Sequence, residues 1–334
     1  MLPEPPTDAT GGKCRRREVC NTSLLRTTRS PLASEPSAQE PVSSLPFPVR
    51  RELFAVEHRF LELDGARIHY VDEGAGDTLL LLHGNPSWSF LYRKIIAGLK
   101  DAYRCVALDF PGYGMSSAPA AYGYTPREHS AVLERFVDRL ALSDLTIMVQ
   151  DWGGPIGLGF AARRSELVRG LIIGNTWAWP HDRDRRIRAF SWIMGGPVGK
   201  ALTRRFNFVP RVFFSRGFAK PIDPEVLDLY FAPWHEPGRR APAVIAPRQL
   251  VAASPYLAEV EADLHKLADR PALIVWGTKD FAFREANRKR FEAAFPNHRT
   301  VLFDDASHFL QEDVGERIAE AFKAFAKNTH QATP

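Results

Sequence analysis

The sequence predicts an α/β fold, a doubly wound and mostly parallel sheet of eight strands that carries an inserted helical cap. Three observations lead to this fold class. Short, continuous apolar runs, typical of strands covered on both faces, recur along the chain from residue 51. Segments with the helical spacing of apolar residues separate these runs. One stretch, residues 177–254, interrupts the alternation and shows no clear strand.

The first two predicted strands form a hairpin. Residues 60–63 and 68–72 alternate between apolar and polar side chains, and Asp64 and Gly65 between them are a pair that a tight hairpin turn favours. The later strands are separated by helices, which is the connection that parallel neighbours require. The sheet is therefore expected to begin antiparallel and to continue parallel.

Six more strands and five helices follow from the same patterns. The predicted strands are residues 78–82, 105–108, 145–149, 171–173, 272–276 and 300–303. The predicted helices are residues 90–99, 127–140, 155–163, 286–295 and 314–327. The ends of the strands matter for function, because open α/β sheets bind their ligands beyond the carboxyl ends of the strands.

Four segments are expected along the chain. Residues 1–50 hold eight Pro and six Ser with few large apolar side chains, so we expect a disordered tail. Residues 51–176 and 256–334 are the two parts of the core, and residues 177–255 are the helical cap between them. The cap segment holds four Trp and seven Phe, a density that indicates an apolar underside.

The composition excludes several classes of protein. With 45% hydrophobic and 25% charged residues, the chain of 334 residues resembles an ordinary globular protein. We expect neither a membrane helix nor a secretory signal, and the three Cys show no disulfide framework and no zinc spacing. The expectation is therefore a cytoplasmic protein without a membrane partner.

The net charge of +5 is unevenly distributed. Residues 177–255 carry 13 Lys and Arg against 6 Asp and Glu, a surplus of +7. A basic surface can bind nucleic acid, but no basic helix, zinc finger or RNA-binding motif accompanies this one, so we expect no nucleic-acid partner. A solvated basic face, an influence on anion exit and a role in subunit contacts stay open for the cap.

The strongest local signal is the segment VQDWGG at residues 149–154. An apolar strand runs into Asp151 and then, after Trp152, into two glycines and a helix, which is the pattern of a nucleophile elbow. Such a turn lets one strained side chain project between small neighbours. Asp is also a favoured helix N-cap, and the segment alone does not decide between the two interpretations.

Three further polar residues follow predicted strands at the same edge of the sheet. Asn85 follows the third strand, Asp280 follows strand 272–276, and His308 follows the last strand. Together with Asp151 they give the order nucleophile, acid, histidine, and Asn85 lies where an oxyanion loop belongs. Each has a plain structural alternative: a turn for Asn85, a surface loop for Asp280 and a hydrogen-bonded structural histidine for His308.

From about residue 54 to residue 327 the chain resembles the α/β-hydrolase superfamily and, more closely, the haloalkane dehalogenases. Four motifs carry the resemblance: HGNPSWSFLYR at residues 83–93, DFPGYGMS at 109–116, QDWGG at 150–154 and HFLQED at 308–313. The second motif is shared widely across the superfamily, and DWG is shared with epoxide hydrolases. Asn85 together with Trp152 is the specific part, and it is similar to the third subfamily of dehalogenases.

The resemblance implies a catalytic triad. Asp151 would be the nucleophile and His308 the general base that activates water. Asp280 would be the triad acid, because Asn175 occupies the alternative place that family members use for an acid. This acid would fix the tautomer of the histidine and stabilise its charged form.

The resemblance also implies a site for the leaving group. Asn85 can offer a side-chain amide N–H and Trp152 an indole N–H to a departing halide ion. The backbone N–H groups of the same two residues would form the oxyanion hole of the second step. Each residue would thus act first through its side chain and then through its backbone.

The implied reaction is hydrolysis of a haloalkane to an alcohol, a halide ion and a proton. A carboxylate is ionised at neutral pH, and its ester can be cleaved by water, whereas a serine would form a stable ether. No metal and no organic cofactor is implied. The expected partners are a small apolar halogenated substrate and the halide product, and the aromatic cap leaves a homo-oligomer open.

Two other functions remain open at this point. An epoxide hydrolase would use the same Asp nucleophile but would need a pair of tyrosines as proton donors. The cap offers only Tyr230, with Tyr256 at its exit. A non-catalytic protein of this fold would bind a ligand under the cap, and the complete acid–base set argues against it.

Overall fold

A single eight-stranded sheet runs through the part of the chain that the computed structural model describes, residues 45–332, with side chains described through residue 328. Most of the predicted tail, residues 1–50, lies outside the described residues, and its disorder stays a prediction. No helix in the described range is long and apolar enough to cross a membrane.

The order of strands across the sheet is β1-β2-β4-β3-β5-β6-β7-β8. The strands are β1 (Arg59–Leu63), β2 (Ala66–Glu73), β3 (Asp77–Leu82), β4 (Tyr103–Leu108), β5 (Leu145–Asp151), β6 (Val168–Thr176), β7 (Ala272–Gly277) and β8 (His298–Phe303). Strand β2 pairs antiparallel with β1 and β4, and every other pairing is parallel. This topology confirms the predicted fold class.

The hairpin between β1 and β2 forms where the sequence predicts it. Leu63 pairs with Ala66, and the two residues between them have positive φ, 51° at Asp64 and 77° at Gly65. This backbone matches the right-handed twist of the flanking strands, and only Gly, Asn and Asp adopt it readily.

Eleven α-helices are present among the described residues. They are α1 (Arg93–Leu99), α2 (Pro126–Arg139), α3 (Gly153–Arg163), α4 (Arg185–Gly195), α5 (Pro197–Phe206), α6 (Phe208–Arg216), α7 (Pro224–His235), α8 (Ala241–Ala252), α9 (Ser254–Asp263), α10 (Glu285–Ala294) and α11 (Leu310–Ala332). Helix α1 packs on α11, and α2 packs on α3. The central strands are buried along their length; Leu79 to Leu82 are all fully buried.

Two predicted helices differ from the structure at their starts. The segment predicted as one helix at 90–99 begins with a 3-10 turn, Ser89–Tyr92, whose ends bond to other elements. The Ser89 N–H donates to Asp109 and the Tyr92 hydroxyl donates to the Leu82 carbonyl, each at 2.7 Å. Helix α11 begins at Leu310, and the predicted start at residue 314 coincides with a break, since Val314 has non-helical dihedrals.

Helices α4 to α8 form the insertion between β6 and β7, in the segment predicted as the cap. Helix α9 returns to the core, where the Tyr256 hydroxyl donates to the Pro155 carbonyl of α3 at 2.9 Å. The boundaries assigned to the tail, the cap and the two core parts stay predictions.

Candidate active site

The turn between β5 and α3 presents Asp151. This residue has a φ of 47°, which is a strained conformation for a side chain with a Cβ. Gly153, which begins α3, lies so close to β3 that a Cβ there would overlap the carbonyl oxygen of Leu82. The Thr176 hydroxyl donates to the Asp151 carbonyl at 2.6 Å and so fixes the bend from β6. The local geometry is that of an elbow rather than of a simple helix cap.

The carboxylate of Asp151 is held by backbone donors. The N–H of Asn85 donates to Oδ1 at 2.7 Å, and the N–H of Trp152 also donates to the carboxylate. Burial raises the pKa of Asp151 above its ordinary value, while the charge of His308 and these two N–H groups oppose the rise. With Oδ1 engaged by Asn85, Oδ2 is the oxygen that faces His308.

His308 lies between two carboxylates. Its Nε2 is 3.8 Å from Oδ2 of Asp151, and its Nδ1 is 3.1 Å from Oδ2 of Asp280. The imidazole is fully buried, which alone would lower its pKa. The charge and hydrogen bond of Asp280 and the charge of Asp151 outweigh burial, so the pKa of His308 is raised above its usual value.

Asp280 is held in place by donors from two elements. The Asn175 side-chain amide donates to Oδ2 at 2.8 Å, and the Ala282 N–H donates to Oδ1 at 2.7 Å. Asn175 also accepts the Gly277 N–H at 2.8 Å, so it joins the ends of β6 and β7. In the sequence Asn175 was noted only at the alternative place for the triad acid; its hydrogen bond to Asp280, 105 positions away, was not predicted.

The two predicted halide donors adjoin Asp151 in space: Trp152 follows it in sequence, and Asn85 comes from the loop after β3. Tyr113 donates its hydroxyl to Oδ1 of Asn85 at 3.4 Å, which leaves the Nδ2 end of that amide for another acceptor. The indole of Trp152 packs edge-on against Trp177, with ring centroids 4.7 Å apart. Both donors are almost wholly buried, Asn85 at 3% and Trp152 at 8% exposure.

Aromatic rings surround the imidazole of His308. Four phenylalanine rings lie between 4.8 and 5.7 Å from it, centroid to centroid: Phe213, Phe281, Phe283 and Phe309. Phe213 belongs to cap helix α6, and Phe281 and Phe283 follow β7. A site lined by apolar rings excludes bulk water, and the lower dielectric strengthens the electrostatic interactions inside it.

The hydroxyls of the two tyrosines considered for epoxide opening are engaged elsewhere. Tyr230 donates to Glu312 at 2.6 Å inside a buried cluster with Arg93, and Tyr256 donates to the Pro155 carbonyl. Each hydroxyl therefore has its acceptor in the fold. This arrangement gives no support to a pair of proton donors above Asp151.

The structure brings the five predicted site residues together. Asp151, His308 and Asp280 form one chain of contacts, and Asn85 and Trp152 adjoin the carboxylate of Asp151. Sequence reasoning missed the contact of Asn175 with Asp280, the contact of Tyr113 with Asn85, and the four phenylalanine rings around His308. Tyr113 lies in the DFPGYGMS motif, so its position was visible, but no signal in the sequence linked it to Asn85.

Comparison with a protein family supports the assignment of the fold. The sequence model of the family described as the alpha/beta hydrolase fold matches residues 77–221 and 223–313. These residues include the elbow, both carboxylates and the histidine.

Three individual proteins illustrate the similarity. Haloalkane dehalogenase 2 of Mycobacterium tuberculosis is 42% identical over 281 residues, which cover 83% of this chain and 98% of the relative. Cis-3-alkyl-4-alkyloxetan-2-one decarboxylase of Shewanella oneidensis is 31% identical and covers 83% and 90%, respectively. The crystal structure of haloalkane dehalogenase DatA from Agrobacterium tumefaciens superposes with a TM-score of 0.74 at 27% identity, covering 82% of this chain and 97% of that one.

Proposed function

Because this chain belongs to the α/β-hydrolase fold family and, within it, to the haloalkane dehalogenases, we propose that Asp151 begins the reaction by attacking a saturated carbon of a haloalkane. Oδ2 forms the new carbon–oxygen bond. The carbon–halogen bond breaks at the same time, and its electron pair leaves with the halide ion. Oδ1 stays as the carbonyl oxygen of the ester, because the Asn85 N–H already holds it.

The leaving halide receives hydrogen bonds as its charge develops. The side-chain N–H groups of Asn85 and Trp152 are the donors in this proposal. Donors aimed at developing charge in a dry site contribute about 3 kcal/mol each to transition-state stability. The hydroxyl of Tyr113 supports this orientation, since it occupies the oxygen end of the Asn85 amide.

Hydrolysis of the ester completes the cycle. His308 takes a proton from water through Nε2, and the resulting hydroxide attacks Cγ of Asp151. The negative charge then builds on Oδ1, where the N–H groups of Asn85 and Trp152 stabilise it. Collapse of this intermediate breaks the Cγ–Oδ2 bond, and His308 returns its proton to the departing alkoxide, which leaves as the alcohol. The carboxylic acid formed on Asp151 then loses its proton to solvent, which restores the carboxylate.

The charge change in the first step prepares the second. The ionised carboxylate of Asp151 is one of the groups that raise the pKa of His308. Alkylation neutralises that carboxylate, so the pKa of His308 falls and the imidazole becomes available as a base. Asp280 stays charged and holds the remaining proton on Nδ1.

The observation that carries this proposal is the position of His308 between Asp151 and Asp280, at 3.8 and 3.1 Å. The experiment is halide release from 1-iodobutane and 1,2-dibromoethane, with styrene oxide as a control substrate. We expect halide release from the wild type and none from Asp151→Ala. Diol formation from styrene oxide without halide release from either haloalkane would favour epoxide hydrolysis instead.

A second candidate function follows from the 31% identity to the oxetanone decarboxylase of Shewanella oneidensis, of which the alignment covers 90%. Such a substrate loses carbon dioxide from its ring and leaves an alkene, with no halide involved. A cis-3,4-dialkyl-oxetan-2-one therefore separates the two activities. Alkene formation without halide release would assign the chain to the second reaction.

The remaining expectations concern the substrate, the location in the cell and the oligomeric state. The substrate is a small apolar halogenated molecule, and halide is a product. A cytoplasmic location stays a prediction, and the oligomeric state stays open. A ligand-binding role without catalysis would require tight binding and no halide release in the same assay.

A further inference from the structure

Cap helices α4 and α5 expose an unusual set of apolar side chains. Six large hydrophobic residues are exposed in the part of the chain that the structure describes, and five of them lie on these two helices. They are Trp192, Ile193, Val198, Leu202 and Phe206, here called the α4–α5 face. Trp192 is 68% and Val198 72% exposed, so these side chains meet solvent rather than the core.

The face is a consequence of helical spacing. Val198, Leu202 and Phe206 recur every fourth residue along α5 and so form one stripe. Helix α5 buries Gly199 and Thr203, which lie beside this stripe on the helix surface. The two helices pack against each other, and only Gly196 separates them in sequence. An amphipathic pair whose apolar side points outward lacks the partner that a core would provide.

The same segment is strongly basic. Residues 185–222 contain nine Lys and Arg and no Asp or Glu. Lys220 pairs with Asp305 at 3.3 Å. Within residues 45–328 the other eight form no ion pair with a carboxylate: Arg185, Arg186, Arg188, Lys200, Arg204, Arg205, Arg211 and Arg216. Six of these eight cations lie on α4 and α5, the helices that carry the α4–α5 face, and the other two lie on α6.

We propose that the α4–α5 face docks this protein reversibly on an anionic phospholipid bilayer. Trp192, Ile193 and the stripe of α5 enter the boundary between headgroups and acyl chains, and the surrounding cations contact phosphate groups. Bulky apolar side chains together with unneutralised Arg and Lys are the combination that such an interface binds. The proposal departs from the sequence-based expectation that there is no membrane partner.

Charge complementarity selects this occupant over a second copy of the chain. A two-fold contact would place the same cations of each copy against one another, with no carboxylate in residues 185–222 to receive them. A nucleic acid would match the cations but would leave five apolar side chains without a partner. An anionic bilayer satisfies both parts of the surface.

The test is sedimentation of the full chain with sucrose-loaded vesicles. One set contains phosphatidylcholine alone, and the other contains phosphatidylcholine with phosphatidylglycerol. We expect binding to the anionic vesicles only, and release by high salt because exposed charges are screened. Equal binding to both sets, or binding to neither, would overturn the proposal.

Variants assign the binding to the face. Trp192→Ser with Phe206→Ser is expected to remove detectable binding, and Arg204→Gln with Arg205→Gln to weaken partitioning by about 30-fold. The matched controls are Leu302→Ser, which alters the sixth exposed hydrophobic residue on β8, and Arg51→Gln with Lys327→Gln, which removes two exposed cations elsewhere. Both controls should bind like the wild type, and circular dichroism should show that all variants fold.

Two results would contradict the assignment. Unchanged vesicle binding in the Trp192 and Phe206 double variant would place the binding elsewhere on the chain. A dimer in solution that the same double variant converts to a monomer, without vesicle binding by the wild type, would show that the face joins two copies. Neither result depends on the reaction that the enzyme catalyses.

Discussion

The side-chain amide of Asn175 donates a hydrogen bond of 2.8 Å to the carboxylate of Asp280. The same amide accepts the N–H of Gly277, so one residue of β6 fixes both the end of β7 and the acid that follows it. Asp280 in turn contacts Nδ1 of His308 at 3.1 Å. The orientation of the imidazole therefore depends on Asn175, which acts through Asp280.

Asn175→Ala should slow hydrolysis of the ester more than its formation. A hydrogen bond to a charged group is worth about 1.5–3 kcal/mol, which corresponds to a decrease of roughly 10- to 100-fold if the transition state loses all of it. The measurement is rapid-quench halide release, in which a burst reports ester formation and the later slope reports hydrolysis. If both the burst rate and the later slope equal those of the wild type, this positioning role is excluded.

The companion variant is Asn175→Asp. It keeps an acceptor for the Gly277 N–H but sets a second carboxylate against Asp280, so one of the two must take up a proton. We expect its hydrolysis rate to fall at least as far as that of Asn175→Ala. A variant that matched the wild type would show that a protonated carboxyl at position 175 can replace the amide as the donor to Asp280.

His308→Phe should release one halide per enzyme and then stop as a covalent ester on Asp151. The general base is lost, whereas the nucleophile and the halide donors remain. Asp280 keeps the donors Asn175 and Ala282, so the variant should fold. The measurements are the burst amplitude and the mass of the protein after the burst. His298→Phe, on exposed β8, is the matched control and should turn over normally.

The two steps should differ in pH dependence. Protonated His308 cannot accept a proton from water, so the hydrolysis rate should fall as pH falls through the pKa of His308 in the ester. That pKa lies below the raised pKa of His308 in the free enzyme, because the ester removes the charge of Asp151. The burst should decline only when Asp151 itself becomes protonated. A hydrolysis rate that increased on acidification would rule out His308 as the base.

Arg93→Met should destabilise the fold through Glu312. Arg93 and Glu312 form a buried pair at 2.8 Å, and loss of one partner from such a pair costs about 3 kcal/mol. Burial would raise the pKa of Glu312, but Arg93, Tyr230 and Lys94 outweigh burial and lower it. A lowered carboxyl pKa contributes stability above the unfolded value, near 4.3, that is lost as pH falls.

The difference in unfolding free energy between wild type and Arg93→Met should therefore be largest near pH 7 and should shrink as pH falls below about 4.3, through the lowered pKa of Glu312. Urea unfolding at several pH values measures it. Arg127→Met is the matched control, since its pair with Glu259 is more than half exposed and should contribute less than about 1 kcal/mol. A destabilisation of Arg93→Met that did not vary with pH would point to packing instead of charge.

Strands were the most predictable part of the fold, because burial on both faces makes them continuous apolar runs. Strand β6 is longer than predicted. Gly174 pairs with Gln150 and Thr176 with Asp151, whereas Asn175, with a φ of 26°, bulges between them. Gly and Asn are poor strand formers, so local preference does not indicate this end of the strand. The cap helices were not delimited in sequence. Pro233 and Pro247 lie inside α7 and α8, where local preference alone argues for a break.

The candidate site could be predicted only where a reactive residue lies within a recognisable sequence motif. Asp151 stands between an apolar strand and two glycines, and His308 follows the last strand, so both were identifiable. Contacts across the sheet were not, because an amide such as Asn175 has no distinctive neighbours in sequence. The phenylalanine rings around His308 come from α6, the loop after β7 and the start of α11, which only the folded chain brings together.

A single turnover in water enriched in heavy oxygen tests the central claim, that Asp151 forms an ester and that water attacks its Cγ. With enzyme in excess over haloalkane, the alcohol should carry ordinary oxygen and the peptide containing Asp151 should gain one heavy oxygen. Heavy oxygen in the alcohol with an unlabelled Asp151 would show that water attacks the substrate directly, and it would contradict the account.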